Sequence, residues 1–247
     1  MNKKYYTIKS KQCQHKGGAF MKITWLGQAG LLFDNGKIKI MIDPYLSNSV
    51  EKVEPQNFRR VPVKEELFNI EPDFMIFTHD HLDHYDPETV PVFLGESRKP
   101  MTVLCPFSVW QKARCHGKNH SYVLFNRHTE WTDKGIRFCA VRAVHSDAYA
   151  IGVIIEDLAE NKVYYVTGDT LYSKAIFSDL PENIDLVFLP INGVGNNMNA
   201  TDAVRFFHAC GARRAVPYHV GMFDNKSPDI FDGENKIILE LYKEREL

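Results

Sequence analysis

From residue 21 onward the chain is broken into short apolar runs: 22–26, 30–34, 37–42, 73–78, 101–105, 121–125, 136–144, 149–156, 162–167, 184–190 and 213–218. Most have the length and the β-branched and aromatic content of strands, and none is long enough to span a bilayer. A chain punctuated in this way folds around sheet. Asn35-Gly36, between the second and third runs, signals a tight hairpin because both residues tolerate positive φ, so the chain opens on an antiparallel meander. Helix-like stretches come next at 87–94, 108–116, 172–177 and 201–210, and a Glu/Lys-rich C-terminal stretch begins at 234. Asn199 or Thr201 can cap the fourth of these and Gly211 can end it. Strands first, then strands alternating with helices, with no low-complexity linker, predict one α/β domain over residues 21–247 with sheet inside and helices outside. Residues 1–20 read as an N-terminal extension.

Thirty basic residues against thirty-one acidic ones leave a net charge of -1. That balance offers no field for a polyanion and argues against nucleic acid as a partner, leaving a small-molecule substrate. Five cysteines without a paired spacing fit free thiols in a reducing compartment. The first twenty residues carry lysines but no apolar core of a secretory signal, so a cytoplasmic location is expected. An oligomer is open: Phe58, Phe206 and Phe207 fit an interface or, at their spacing, the core.

The chemistry is concentrated in Thr78-His-Asp-His-Leu-Asp-His-Tyr-Asp86, where His79, His81, Asp83 and His84 come after an apolar run that ends at Thr78. Imidazole and carboxylate at this density, on a loop at a strand end, point to divalent metal. The loop can fold so that His79 and His81 face one ion while Asp83 and His84 face a second. The other ring nitrogens then need partners, for which Asp43, Asp80 and Asp86 are candidates. Read singly, other polar residues at run ends are ambiguous. His145 can be a core histidine, Asp169 a helix cap, Asp43 a turn residue before Pro44 and His219 a surface imidazole.

The His-x-His-x-Asp-His run after an apolar strand resembles the signature of the metallo-β-lactamase fold hydrolases, and the other motifs of that family match in order from Met21 to Asp224. Asp43 in Met-Ile-Asp-Pro-Tyr resembles the aspartate that buttresses the site. His145 in Ala-Val-His-Ser-Asp, Asp169 in Val-Thr-Gly-Asp-Thr and His219 in Val-Pro-Tyr-His-Val resemble the later ligands. The resemblance implies a four-layer αββα sandwich. It also implies two metal ions: His79, His81 and His145 on one, Asp83, His84 and His219 on the other, and Asp169 bridging, with Asp83 and Asp169 counted as catalytic. A flavodiiron protein of this family has Glu where His81 stands, which argues against oxygen reduction. The opening Met21-Lys-Ile-Thr-Trp-Leu-Gly-Gln-Ala-Gly30, with Leu189-Pro-Ile-Asn-Gly193 and Met198-Asn-Ala-Thr-Asp-Ala203, is similar to the L-ascorbate-6-phosphate lactonase branch. This chain is shorter than lactonases of that branch, so the reaction class carries over further than the substrate.

Such a site implies a metal-dependent hydrolase using a metal-bound hydroxide on a lactone or related ester of a small metabolite, phosphorylated or not. Consistent with this, the chain has no Gly-x-Ser-x-Gly elbow. A ligand set without thiolate suits Zn²⁺ or Mn²⁺, with Fe²⁺ behind them. Asn192, Asn196 and Asn197 offer amides to a substrate, or simply satisfy turn geometry. A phosphodiesterase acting on a lipid, cyclic nucleotide or RNA is the main rival, and a metal-binding protein without catalysis the third reading.

Overall fold

The computed structural model describes residues 20–247, so the expected extension lies, apart from an exposed Phe20, outside the described residues. Every apolar run became a strand. One sheet takes β1 (Lys22–Gly27), β2 (Gly30–Asp34), β3 (Lys39–Ile42), β4 (Phe74–Ile76), β5 (Thr102–Cys105) and β6 (Ser121–Leu124). The other takes β7 (Glu130–Asp133), β8 (Ile136–Arg142), β9 (Ile151–Asp157), β10 (Lys162–Val166), β11 (Leu186–Pro190) and β12 (Arg214–Tyr218). β1 to β3 form the expected antiparallel meander, β3 to β6 run parallel, and so do β10 to β12. The hairpin between β2 and β3 is closed differently from the expectation. Gly36 alone takes positive φ (78°), while the Asn35 side chain accepts from the amides of Lys37 and Ile38.

Both faces of most strands are apolar, which a two-sided burial requires. Ile23, Phe33, Ile40, Phe74 and Ile76 of the first sheet meet Phe138, Val153, Tyr164, Phe188 and Val216 of the second in one core. Phe33 bridges the sheets edge-on to Tyr164 (5.6 Å) and Phe188 (5.4 Å), a geometry that adds about 0.5–1.5 kcal/mol per pair to burial itself. The alternate residues point outward under helices. Met41, Met75 and Val103 pack with α1 (Val90–Phe93) and α2 (Phe107–Ala113), whereas Ile154, Tyr165, Val187 and Leu189 pack with α3 (Ala200–Cys210). The order is therefore helix, sheet, sheet, helix, as expected, though the helical layers are thin.

Asn199 caps α3 by accepting from the Asp202 amide at 2.9 Å, and Gly211 ends it at φ 70°. Phe206 and Phe207 are buried beneath this helix, which assigns them to the core; Phe58 is exposed. Two helix expectations need correction. Residues 172–177 give only a 3-10 turn at Lys174–Asp179. The C-terminal stretch is extended, and β13 (Glu244–Glu246) pairs with β1. Ile237, Leu239 and Leu241 alternate at a spacing of two and face the central core, so a strand period lay beneath a helix-like composition. Among the described residues no helix is long and apolar enough to cross a membrane, and the four cysteines are free thiols.

Candidate metal centre

The residues singled out in the sequence converge at one rim of the sandwich. Asp43 succeeds β3, the 78–84 loop succeeds β4, and His145, Asp169 and His219 succeed β8, β10 and β12. The backbone turns sharply at these ends: Asp43 has φ 43°, Gly168 φ 60° and His219 φ 56°. At Gly168 no side chain is tolerated, because a Cβ there would lie 2.8 Å from the Ile151 carbonyl oxygen and 2.9 Å from Thr78 Cβ.

Two donor clusters share Asp169. In one, His84 Nε2 and His219 Nε2 are 3.1 Å apart and lie 3.3 Å and 3.2 Å from Asp169 Oδ1. Asp83 Oδ2 is 3.4 Å from His219 Nε2. In the other, His145 Nε2 lies 3.1 Å from His81 Nδ1 and 4.0 Å from Asp169 Oδ2, beside the ring of His79. Four ligands at roughly 2.0–2.1 Å around a tetrahedral cation stand about 3.3 Å from one another, so these separations suit a cation at each cluster.

The surrounding hydrogen bonds aim bare nitrogens inward. His84 Nδ1 donates to Asp43 Oδ2 at 2.8 Å. Thr78 Oγ1 donates to the same oxygen at 2.6 Å and stands 3.0 Å from His79 Nδ1, so it can accept the His79 proton. One carboxylate and one hydroxyl thereby fix the tautomers of two histidines. His145 Nδ1 donates to the Asn196 carbonyl at 3.1 Å, and Ser146 Oγ stands 3.2 Å from His81 Nε2. The result leaves His79 Nε2 and Asp169 Oδ1 buried without any hydrogen-bond partner, an arrangement that is costly unless a ligand meets them. The donor set therefore fits divalent cations.

Charge state obeys the same geometry. Burial, with His84 next to it, pushes His79 well below the usual imidazole range and keeps it neutral. Burial acts the same way on His145. Burial also opposes the charge on His84, but the carboxylates of Asp169, Asp83 and Asp43 overcome it and raise the pKa well above the ordinary value. Desolvation likewise works against the charge on buried Asp169 and on the half-buried Asp83, yet the facing His84 and His219 hold both carboxyls well below the carboxylate range.

Of the proposed outer partners, only Asp43 touches a ring. Asp80 pairs with Lys112 at 2.8 Å, and Asp86 accepts from Ser49 Oγ and Thr89 Oγ1, holding the chain after the cluster. Asn192, Asn196 and Asn197 line the cavity above the cluster, but each also meets a cluster residue. The Asn192 carboxamide lies 3.0 Å from His219 Nδ1, the Asn196 carbonyl holds His145, and Asn197 Nδ2 donates to Asp169 Oδ2 at 2.6 Å. Two residues escaped the sequence reading. Thr78 is one. The other is Gln28, buried at φ 48°, whose Nε2 donates to Asp83 Oδ2 at 2.8 Å. Its only local signal is the pair of glycines, Gly27 and Gly30, that bracket the turn.

The family model described as "Beta-lactamase superfamily domain" matches residues 39–220. The chain is 28% identical over 216 residues to a UPF0173 protein of Pyrococcus furiosus, covering 87% of this chain and 90% of the relative. It is 28% identical over 222 residues to a UPF0173 metal-dependent hydrolase of Ligilactobacillus salivarius, covering 86% and 90%. Among solved structures, Igni18, a metallo hydrolase of Ignicoccus hospitalis, superposes with a TM-score of 0.71 at 18% identity over 91% of this chain and 97% of that one. CmlA, a diiron β-hydroxylase of Streptomyces venezuelae, reaches the same TM-score of 0.71 at 15% identity, covering 94% of this chain and 55% of that one. One fold thus carries more than one chemistry, and function must be argued from the site. With a match over most of its length and helical layers on both sides of paired sheets, the chain belongs to the beta-lactamase superfamily and has the metallo-β-lactamase fold.

Proposed function

We propose that this chain is a metal-dependent hydrolase that uses two divalent cations, Zn²⁺ or Mn²⁺, to open a lactone or cleave a related ester of a small molecule. The observation that carries it is the pair of donor clusters joined through Asp169, with His79 Nε2 and Asp169 Oδ1 lacking any other partner. His79, His81 and His145 would hold one cation, Asp83, His84 and His219 the other, and Asp169 both. Bound there, the cations supply an acidified water and a Lewis acid for the oxygen that gains charge.

The remaining work belongs to the chain. Asp43 and Thr78 keep the His79 and His84 rings in one tautomer, and Gln28 holds Asp83. Of the two catalytic carboxylates, Asp83 is the one a substrate proton can reach, with 18% of its side chain exposed against 5% for Asp169. A cavity of about 640 Å³ opens directly on Asp83, Asp169, His81 and His145. Its size suits a small molecule rather than a polymer. Turnover of a lactone panel against bis-p-nitrophenyl phosphate, in Mn²⁺ and in Zn²⁺, tests the reading. Activity confined to the diester would replace lactone opening by phosphodiester cleavage. His81→Ala and Asp169→Ala variants that keep full activity would move the site elsewhere.

A further inference from the structure

The cavity that gives access to the cluster has an unusual lining for an enzyme of phosphorylated metabolites. Among the described residues, no lysine or arginine lines it. Its charged groups away from the cluster are Glu54, Asp80 and Asp224, all acidic. The rest of the rim joins apolar Val50, Val53, Leu82, Val194 and Phe223 with uncharged polar side chains such as Asn57, Ser146 and Asn196. Val53 and Val194 are more than 60% exposed, a large apolar area to leave in water beside a reactive centre.

The cationic side chains that touch rim residues are already engaged. Lys226 Nζ donates to the Asn192 carbonyl at 2.7 Å and sits 3.6 Å from Asp224. Lys112 pairs with Asp80, and the Arg60 guanidinium donates to the Phe223 carbonyl at 3.0 Å. A phosphate or sulfonate carried away from the scissile bond would therefore meet Glu54, the lysine-paired Asp80 and Asp224, and apolar side chains, with only neutral donors such as the Asn196 carboxamide and the Ser146 hydroxyl in the lining to replace its water. A neutral, apolar substituent would instead cover Val53, Val194 and Phe223 and take their apolar surface out of water.

We infer that the substrate is an ester or lactone with an uncharged apolar substituent, and that the cavity rejects molecules bearing a second, remote anionic group. This rests on the hydrolase reading and narrows it away from phosphorylated lactones. In the reaction, water adds hydroxide to the acyl carbon, the acyl–oxygen bond breaks, and the leaving oxygen takes the proton.

A matched set of esters tests it: p-nitrophenyl pentanoate, and the 4-sulfobutanoate and 4-trimethylammoniobutanoate esters of the same phenol. The sulfonate keeps the chain length and is a poor metal ligand. For the Zn²⁺-loaded protein, kcat/KM for the pentanoate is expected to exceed that for the sulfobutanoate by about tenfold, with the cationic ester between them; a cationic ester cleaved faster than the pentanoate would overturn the uncharged assignment. Glu54→Gln with Asp224→Asn should narrow the gap several-fold by raising the sulfobutanoate alone. Equal or better cleavage of the sulfobutanoate overturns the inference, as does a selective loss of that activity in Lys226→Ala, which would reveal an anion-binding lysine. Calorimetric titration with the corresponding uncleaved anilides gives the same ordering without turnover. Absence of cleavage with the ordering kept would therefore count against the hydrolase alone, while a reversed ordering would count against the inference.

Discussion

Replacing Asp43 by Asn changes one atom of a residue that no substrate touches, yet it disturbs a histidine that faces the cation site. Asp43 is fully buried; its Oδ1 accepts from the Thr78 amide at 2.8 Å, and its Oδ2 from Thr78 Oγ1 and His84 Nδ1. Its φ of 43° is one that asparagine adopts readily, so Asp43→Asn adds no backbone strain of the kind alanine would. With the amide oxygen kept for Thr78 N–H, the new NH₂ faces two hydrogens. His84 can accept from it only by moving its proton to Nε2, the atom that faces Asp169 and His219. The variant loses a charge-assisted hydrogen bond worth about 1.5–3 kcal/mol, and the metal-free protein should be destabilised by a comparable amount. Loss of such an outer partner lowers metal affinity by about 10–100-fold, which at about 1.4 kcal/mol per decade matches the same range. Equilibrium dialysis against Zn²⁺ with elemental analysis should show one weakened equivalent and one retained more closely. If Asp43→Asn binds two equivalents with unchanged affinity, Asp43 does not set the His84 tautomer and the reasoning from its hydrogen bonds is refuted.

The other predictions concern the rim and the proton balance. Gln28→Gly removes the carboxamide from Asp83 while suiting the positive φ, so urea unfolding should change little as Zn²⁺ affinity of the Asp83 half falls several-fold; an unchanged titration removes Gln28 from the site. Gly168→Ala should cost about 2–4 kcal/mol in denaturant unfolding, from a left-handed φ and a Cβ against Ile151 O and Thr78; a wild-type midpoint refutes the packing. In the metal-free protein the raised pKa of His84 means that a proton leaves when a cation enters. Metal affinity should therefore fall as pH falls, and calorimetry in buffers of different ionisation enthalpy should detect proton release. By the same linkage, the stability His84 gives the metal-free protein is full below about pH 6.5 and is lost as pH rises through its folded-state pKa; stability that instead grows across that range contradicts the assignment.

The sheets were legible because burial on both faces writes apolar runs into the chain, and each run ended within two residues of its strand. Edge strands carry less of that signal. In β7 only Trp131 packs on the core, and β13 is Glu-Arg-Glu, held by pairing to β1. Past residue 234 the charged composition pointed to helix, while the spacing of Ile237, Leu239 and Leu241 already carried the strand period. At the site, His79, His81, Asp83 and His84 were visible because several donors crowd one loop. Gln28 and Thr78 were not, since each is a single common polar residue whose role comes from a partner 55 or 35 positions away. The asparagines after β11 were read toward substrate, and only the folded chain shows them bracing His145, Asp169 and His219.

The most direct test of the two-cation centre is anomalous diffraction from crystals of the protein loaded with Mn²⁺ or Zn²⁺. Two peaks about 3.5–4 Å apart are expected, one among His79, His81 and His145, the other among Asp83, His84 and His219, each reaching Asp169. A single peak, or ions bound away from Asp169, would contradict the two-cation centre.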